Sequence, residues 1–210
     1  MLITEDEVRN ILQAYNILIN GVLHIGAHEC EEIGLYENLG IIKNNIIWID
    51  GNKEKVSQAQ QRGIPNVYYG VISNENDKDV EFKITNNGQS SSILDFGSHS
   101  THHPHIYFVE AQVHKTITID TFYENNNLDM KKYNFWNFDI QGAELMALKG
   151  AGKAIEYAKA LYLEVNTEEV YKGGCLISEI DDYLSTYKFK RVLTKMTEYG
   201  WGDALYVKIT

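Results

Sequence analysis

Short apolar runs alternate with longer amphipathic stretches along most of this chain. Residues 1–19 predict a leading helix. Val22, Leu23, His24 and Ile25 end at Gly26, and Ile33, Tyr36 and Leu39 then recur at helical spacing, so a strand, a turn and a helix are expected. Ile46, Ile47, Trp48 and Ile49 form a continuous apolar run closed by Asp50, and the polar stretch 52–62 reads as the next helix. Residues 67–72 predict a third buried strand, while Val80, Phe82 and Ile84 alternate with polar neighbours as a half-exposed strand does. From 86 to 115 the pattern weakens into a Gly/Ser-rich loop and a cluster of His99, His102, His103 and His105, so this stretch is expected to be an irregular insertion near a site. Ile117 and Ile119 restore order, with Asp120 as the expected N-cap of a short helix. Phe135 to Phe138 lead into Asp139, and a helix over 143–148 is stopped by Gly150 and Gly152. Leu161, Tyr162 and Leu163 lead into Glu164 and Asn166, and a helix follows over 177–184. Two strand-like runs, 191–196 and 204–209, close the chain across a joint short enough for a hairpin.

Alternating strands and helices imply an α/β fold whose doubly wound, mostly parallel sheet carries helices on both faces, and the terminal hairpin adds an antiparallel strand. With 210 residues and 44% hydrophobic content, residues 1–210 are expected to form a single domain. The formal net charge of -10 opposes a phosphate backbone, which argues against nucleic acid as a partner. The first residues are acidic rather than basic and then apolar, and no run approaches a membrane span, so a soluble, cytoplasmic protein is expected. Cys30 and Cys175 stand alone without metal-type spacing and are read as reduced thiols.

In open α/β sheets ligands bind beyond the carboxyl ends of the strands, where the strand order reverses. Polar residues gather at those ends: His24, Gly26 and His28, then Asp50, then Asp139 and Gln141, then Glu164 and Asn166. Gly26 permits a sharp turn and close approach, and the helix start after it offers amides to a carboxylate. Asp50 is spaced to accept both hydroxyls of a ribose. Equally, Gly26 fits an ordinary tight turn and Asp50 an ordinary helix cap. The glycine pattern is not GxGxxG, and no Tyr is followed four positions later by Lys, which weighs against an NAD(P)-dependent oxidoreductase. A non-catalytic nucleotide-binding module is the other alternative.

The ordered segments HIGAHE, WIDGN, NGQSSSIL, NFDIQGAELMALKGA, YLEVNTEEVYKG and GWGDALYV resemble the FkbM methyltransferase family from about residue 20 onward. The resemblance implies a class I methyltransferase (Rossmann-like) fold, S-adenosylmethionine as methyl donor and a hydroxyl acceptor, often on a sugar in a glycan. It assigns His24, Gly26, Ala27 and His28 to the first cofactor motif, although many methyltransferases carry an acidic residue in place of His24. Asp50 would hold the ribose, Gly51 and Asn52 would lie beside the adenine, and Val71 and Ile72 would line its pocket. Ser91, Asp139 and Gln141 would also border the cofactor, with Ser90 and Ser92 beside the transferred methyl. Asp139 is the first choice for general base, Glu164 the alternative, and a loop histidine, His102 or His103, a third candidate. Glu144, Asn166 and Trp201 are expected on the acceptor side, Trp201 as a stacking face for a sugar ring. Asp139, Glu164 and Asn166 supply oxygens that a magnesium ion would accept, and His99, His102, His103 and His105 supply imidazoles, yet neither set is favoured as a metal site. The acceptor is taken to be a small molecule or glycan, and the oligomeric state is left open.

Overall fold

The computed structural model describes residues 1–209. In chain order its strands are β1 (Val22–Ile25), β2 (Ile46–Asp50), β3 (Val67–Tyr69), β4 (Val71–Ile72), β5 (Asp79–Thr85), β6 (Phe108–Ile117), β7 (Phe135–Phe138), β8 (Ala160–Asn166), β9 (Phe189–Met196) and β10 (Trp201–Lys208). The helices are α1 (Glu5–Ala14), α2 (Ile33–Asn38), α3 (Lys53–Gln61), α4 (His99–His102), α5 (Ile119–Asn125), α6 (Glu144–Lys149) and α7 (Ile177–Ser185). None of these helices is long and apolar enough to cross a membrane.

Seven strands make one sheet in the order β3-β2-β1-β7-β8-β10-β9. All neighbours run parallel except β10, which lies antiparallel between β8 and β9. This is the class I methyltransferase arrangement, with the reversal of strand order falling between β1 and β7. The continuous apolar runs have a direct explanation in the two-sided burial of the central strands. Leu23, Ile25, Ile47, Ile49, Trp136 and Phe138 enter the core on one face, while Val22, Ile46, Trp48 and Phe135 enter the core on the other. Each fully buried side chain of this size contributes about 1.5–3 kcal/mol.

The structure corrects several expected boundaries. Residues 67–72 do not form one strand: the chain breaks at Gly70, whose amide donates to the Asp50 carbonyl at 3.0 Å. Val67–Tyr69 stays on the main sheet, whereas Val71–Ile72 pairs with β6 in a second sheet ordered β4-β6-β5. The expected insertion over 86–115 is irregular only in its first part, because residues from Phe108 onward belong to β6 and pair along β5. That strand escaped notice because its apolar Val109 and Val113 face solvent while its buried face carries His114 and Thr116. The leading helix is shorter than 1–19 and starts after its N-cap Thr4, where a capping box with Glu7 marks the start. Thr118, not Asp120, caps α5, while the Asp120 carboxylate accepts instead from the amides of Lys153 and Ala154.

Candidate active site

A cavity of about 500 Å³ opens beyond the carboxyl ends of β1, β2, β7 and β8, at the reversal of strand order. This volume lies in the ordinary range for small-molecule sites. The loop 87–93 and the histidine segment cover it, and Phe82 reaches in from the second sheet.

Gly26 carries φ +90 and sits against β7: a Cβ there would meet the Asp139 carbonyl oxygen at 1.8 Å. Its glycine character therefore serves the packing of two strand-end turns together as much as any approach to a ligand. The amides that follow are also not free. Gly26 and Ala27 donate to the Ile49 carbonyl, His28 donates to the Asp50 carboxylate at 2.7 Å, and Cys30 donates to the Ala27 carbonyl. α2 begins only at Ile33, so the expected run of open amides at a helix start is absent here.

Asp50 bridges the first two turns, accepting from the His28 amide through one oxygen and from the Asn52 amide at 2.6 Å through the other. Asn52, not Asp50, caps α3 by accepting from the amides of Glu54 and Lys55. Burial raises the Asp50 carboxyl above its ordinary range, partly offset by those two amide bonds. Gly51 has no room for a side chain because the Phe82 ring lies 2.7 Å from where its Cβ would be. His28 lines the cavity, pairs its Nδ1 with Glu31 at 2.7 Å, and leaves a buried Nε2 without a partner.

At the other end, the β7 and β8 termini bring two carboxylates together. Gln141 donates from Nε2 to Asp139 Oδ1 at 2.6 Å and to Glu164 Oε2 at 2.6 Å, while its Oε1 accepts from the Tyr171 hydroxyl at 2.5 Å. One amide nitrogen thus ties Asp139 and Glu164 together. Burial, and then the Asp139 charge, hold the Glu164 carboxyl well above its usual range. Glu164 is thus buried and held by neighbours, not a solvated strand-end charge. Tyr171 stays a protonated phenol, since burial first and the Glu164 charge second push it up.

Most of the residues expected at the site do line the cavity: Gly26, His28, Asp50, Gly51, Val71, Ile72, Ser90, Ser91, Ser92, Asp139, Gln141, Glu164 and Trp201. Others do not. His24 points to the opposite face, in register with Trp48 and Asn137, and its Nδ1 meets the Tyr36 hydroxyl at 2.8 Å. Ala27 and Asn52 pack behind the turns. Glu144 is fully buried and accepts from the amides of Ile140 and Gly142, so it shapes the β7 turn instead of facing an acceptor; burial raises its carboxyl to about 7. Asn166 is buried beside Trp201 in the strand register and is not part of the lining. His102 pairs with Glu168 at 2.9 Å on the surface, and it is His99 and His103 that reach the cavity.

His99 is buried, stacked on Phe96 at 4.3 Å, with an unpartnered Nδ1. Burial, then the charges of its histidine neighbours, push it down to about 4, so it is neutral near pH 7. Tyr171, Phe82 and Asp203 are further lining residues that the sequence pattern did not single out. Tyr171 lies within the YLEVNTEEVYKG segment, but nothing in that string shows which way its ring turns. Among the described residues, no three His, Cys, Asp or Glu side chains converge to hold a metal ion. His99 and His103 lie 5.1 Å apart and His103 and His105 6.1 Å apart between ring centroids, while His102 pairs with Glu168.

The sequence profile of the methyltransferase FkbM domain matches residues 24–200. No curated protein matches the chain. Among solved structures, magnesium protoporphyrin IX methyltransferase (ChlM) from Synechocystis PCC 6803 with bound SAM is similar over 98% of this chain and 78% of its own, at 14% identity and a TM-score of 0.49. A SAM dependent methyltransferase from Aquifex aeolicus covers 99% and 91% at 12% identity and a TM-score of 0.44. Precorrin-6y C5,15-methyltransferase from Geobacter metallireducens covers 100% and 91% at 11% identity and a TM-score of 0.46. At such identities the likeness carries nothing about chemistry.

Proposed function

This chain belongs to the FkbM methyltransferase family, and on that premise we propose that it methylates a hydroxyl of an uncharged sugar, using S-adenosylmethionine as donor. One observation supports this reading above the others. Among the described residues the cavity lining holds the acids Glu31, Glu32, Asp50, Asp139, Glu164 and Asp203 and no Lys or Arg, with the amino-terminal Met1 beside Asp203. Such a wall attracts a sulfonium and an ammonium and repels a pyrophosphate, for which the paired amides after β1 also leave no donors. A nicotinamide dinucleotide is therefore disfavoured by the same residues that suit the methyl donor, and anionic acceptors meet the same repulsion.

The donor-side residues fit the ribose and adenine of the group. Asp50 keeps lone pairs for two ribose hydroxyls, and Val71, Ile72 and Phe82 supply apolar lining beside it for an adenine. When bound, S-adenosylmethionine supplies a methyl already activated on a cationic sulfur. The task left to the chain is alignment of the acceptor oxygen, which supplies about 7–11 kcal/mol in well-oriented systems. Asp139, the more exposed carboxylate of the pair, receives the hydroxyl proton, a role that adds about 10²–10⁴-fold. Trp201 offers its face to the sugar ring beside Asp203.

The test is transfer of isotopically labelled methyl from S-adenosylmethionine to a panel of neutral glycosides, with product mass and linkage determined. Label on a sugar oxygen, reduced about 10²-fold or more by Asp139→Asn, is expected. Label on nitrogen or carbon, or full activity in Asp139→Asn, would overturn the proposal.

A further inference from the structure

Gln141 does more than border a ligand. Its one amide nitrogen has two hydrogens, and both are committed, one to Asp139 Oδ1 and one to Glu164 Oε2. With both acids ionised, the opposite orientation of the amide would set its oxygen against two carboxylate oxygens. Tyr171 secures the observed orientation from behind, because a buried phenol with acidic neighbours keeps its proton and donates it to Gln141 Oε1. The backbone of Gln141 is held in the left-handed region, φ +58, where a residue with a side chain persists only when its surroundings demand it. One such demand is visible: the Ser92 hydroxyl donates to the Gln141 carbonyl at 2.9 Å. With Asp139 Oδ1 and Glu164 Oε2 so engaged, Asp139 Oδ2 and Glu164 Oε1 accept from no other side chain among the described residues.

We propose that Gln141, oriented by the Tyr171 hydroxyl, is the positioning residue that holds Asp139 and Glu164 together as one proton-sharing pair. This deepens the reading of the cavity as a methyl-transfer site, with the pair rather than Asp139 alone taking up the proton released by the acceptor hydroxyl. Two hydrogen bonds donated to carboxylates favour their ionised forms, so losing them strengthens proton binding by the pair.

The experiment is a pH titration of the two carboxyl carbons by carbon-13 NMR in the wild-type chain, Gln141→Leu and Tyr171→Phe, with amide spectra recorded to confirm folding. Gln141→Leu is expected to raise the midpoint of the pair by about one pH unit, a tenfold gain in proton affinity. Tyr171→Phe, which removes no contact to either carboxylate, is expected to move it in the same direction by less. A purely structural role for either residue would leave the midpoints in place, and unchanged midpoints in folded variants overturn the proposal. Should Gln141→Leu fail to fold, Tyr171→Phe alone decides by the same criterion. No acceptor or turnover enters this measurement. Failure of the wild-type chain to bind S-adenosylhomocysteine, measured separately, would instead sink the methyltransferase reading.

Discussion

Replacing Gly26 by alanine is expected to damage stability and the site together. Two costs add. A Cβ at φ +90 is disfavoured by about 1–2 kcal/mol, and the same Cβ falls 1.8 Å from the Asp139 carbonyl oxygen and 2.7 Å from its carbon. Backbone on both sides must shift, which costs about 1–3 kcal/mol in packed interiors. The sum, about 2–5 kcal/mol, lowers the melting temperature by about 4–20 °C in a chain of this size. Gly63→Ala is the control, since φ there is +77 but nothing lies within 4 Å of the added carbon. It should lose only the conformational part, about 2–8 °C. Thermal melts of the two variants isolate the contact, and S-adenosylhomocysteine titration reads whether the turn bearing Asp139 has moved. Equal melting temperatures for the two variants would refute the argument that Gly26 is required by the Asp139 backbone.

Asp50→Ala should weaken S-adenosylhomocysteine binding by about 10–100-fold, as expected for lost hydrogen bonds to a charged group; calorimetry showing a change under threefold would remove Asp50 from the cofactor site. Glu144→Gln should flatten the pH dependence of stability. The folded chain holds the Glu144 proton up to about 7, above the ordinary value of 4.5, so this residue's contribution is complete below about pH 4.5 and lost as pH rises through 7. For a fully buried group that amounts to roughly 3 kcal/mol, or about 6–12 °C of melting temperature between pH 5 and pH 8. Melts of the variant at those two pH values that differ as much as the wild type's would contradict it.

The sheet was legible because its central strands are buried on both faces and so read as unbroken apolar runs: 46–49 and 135–138 leave no alternative. β6 was not, because it joins a small outer sheet whose exposed face carries valines and whose inner face carries His114 and Thr116, inverting the usual signal. At the site, position along the chain identified strand ends correctly but not the direction of side chains. His24 and Gly26 are two residues apart, yet His24 lies under the sheet against Tyr36 and Trp48, whereas the chain past Ile25 leaves the strand and faces the cavity. Glu144 shows the same limit: one turn from Asp139 in sequence, it folds back to satisfy the amides of Ile140 and Gly142. Among the histidines, adjacency concealed opposite fates, with His102 paired to Glu168 outside and His99 stacked on Phe96 inside. No periodic pattern in a loop distinguishes such neighbours, since only the tertiary packing sets their directions.

We propose that the acidic lining, which among the described residues holds no Lys or Arg, selects a cationic methyl donor. Calorimetric titration of the wild-type chain with S-adenosylmethionine and, separately, with NAD decides it. One-to-one binding of S-adenosylmethionine with no heat from NAD is the predicted result, and binding of NAD without binding of S-adenosylmethionine would contradict it.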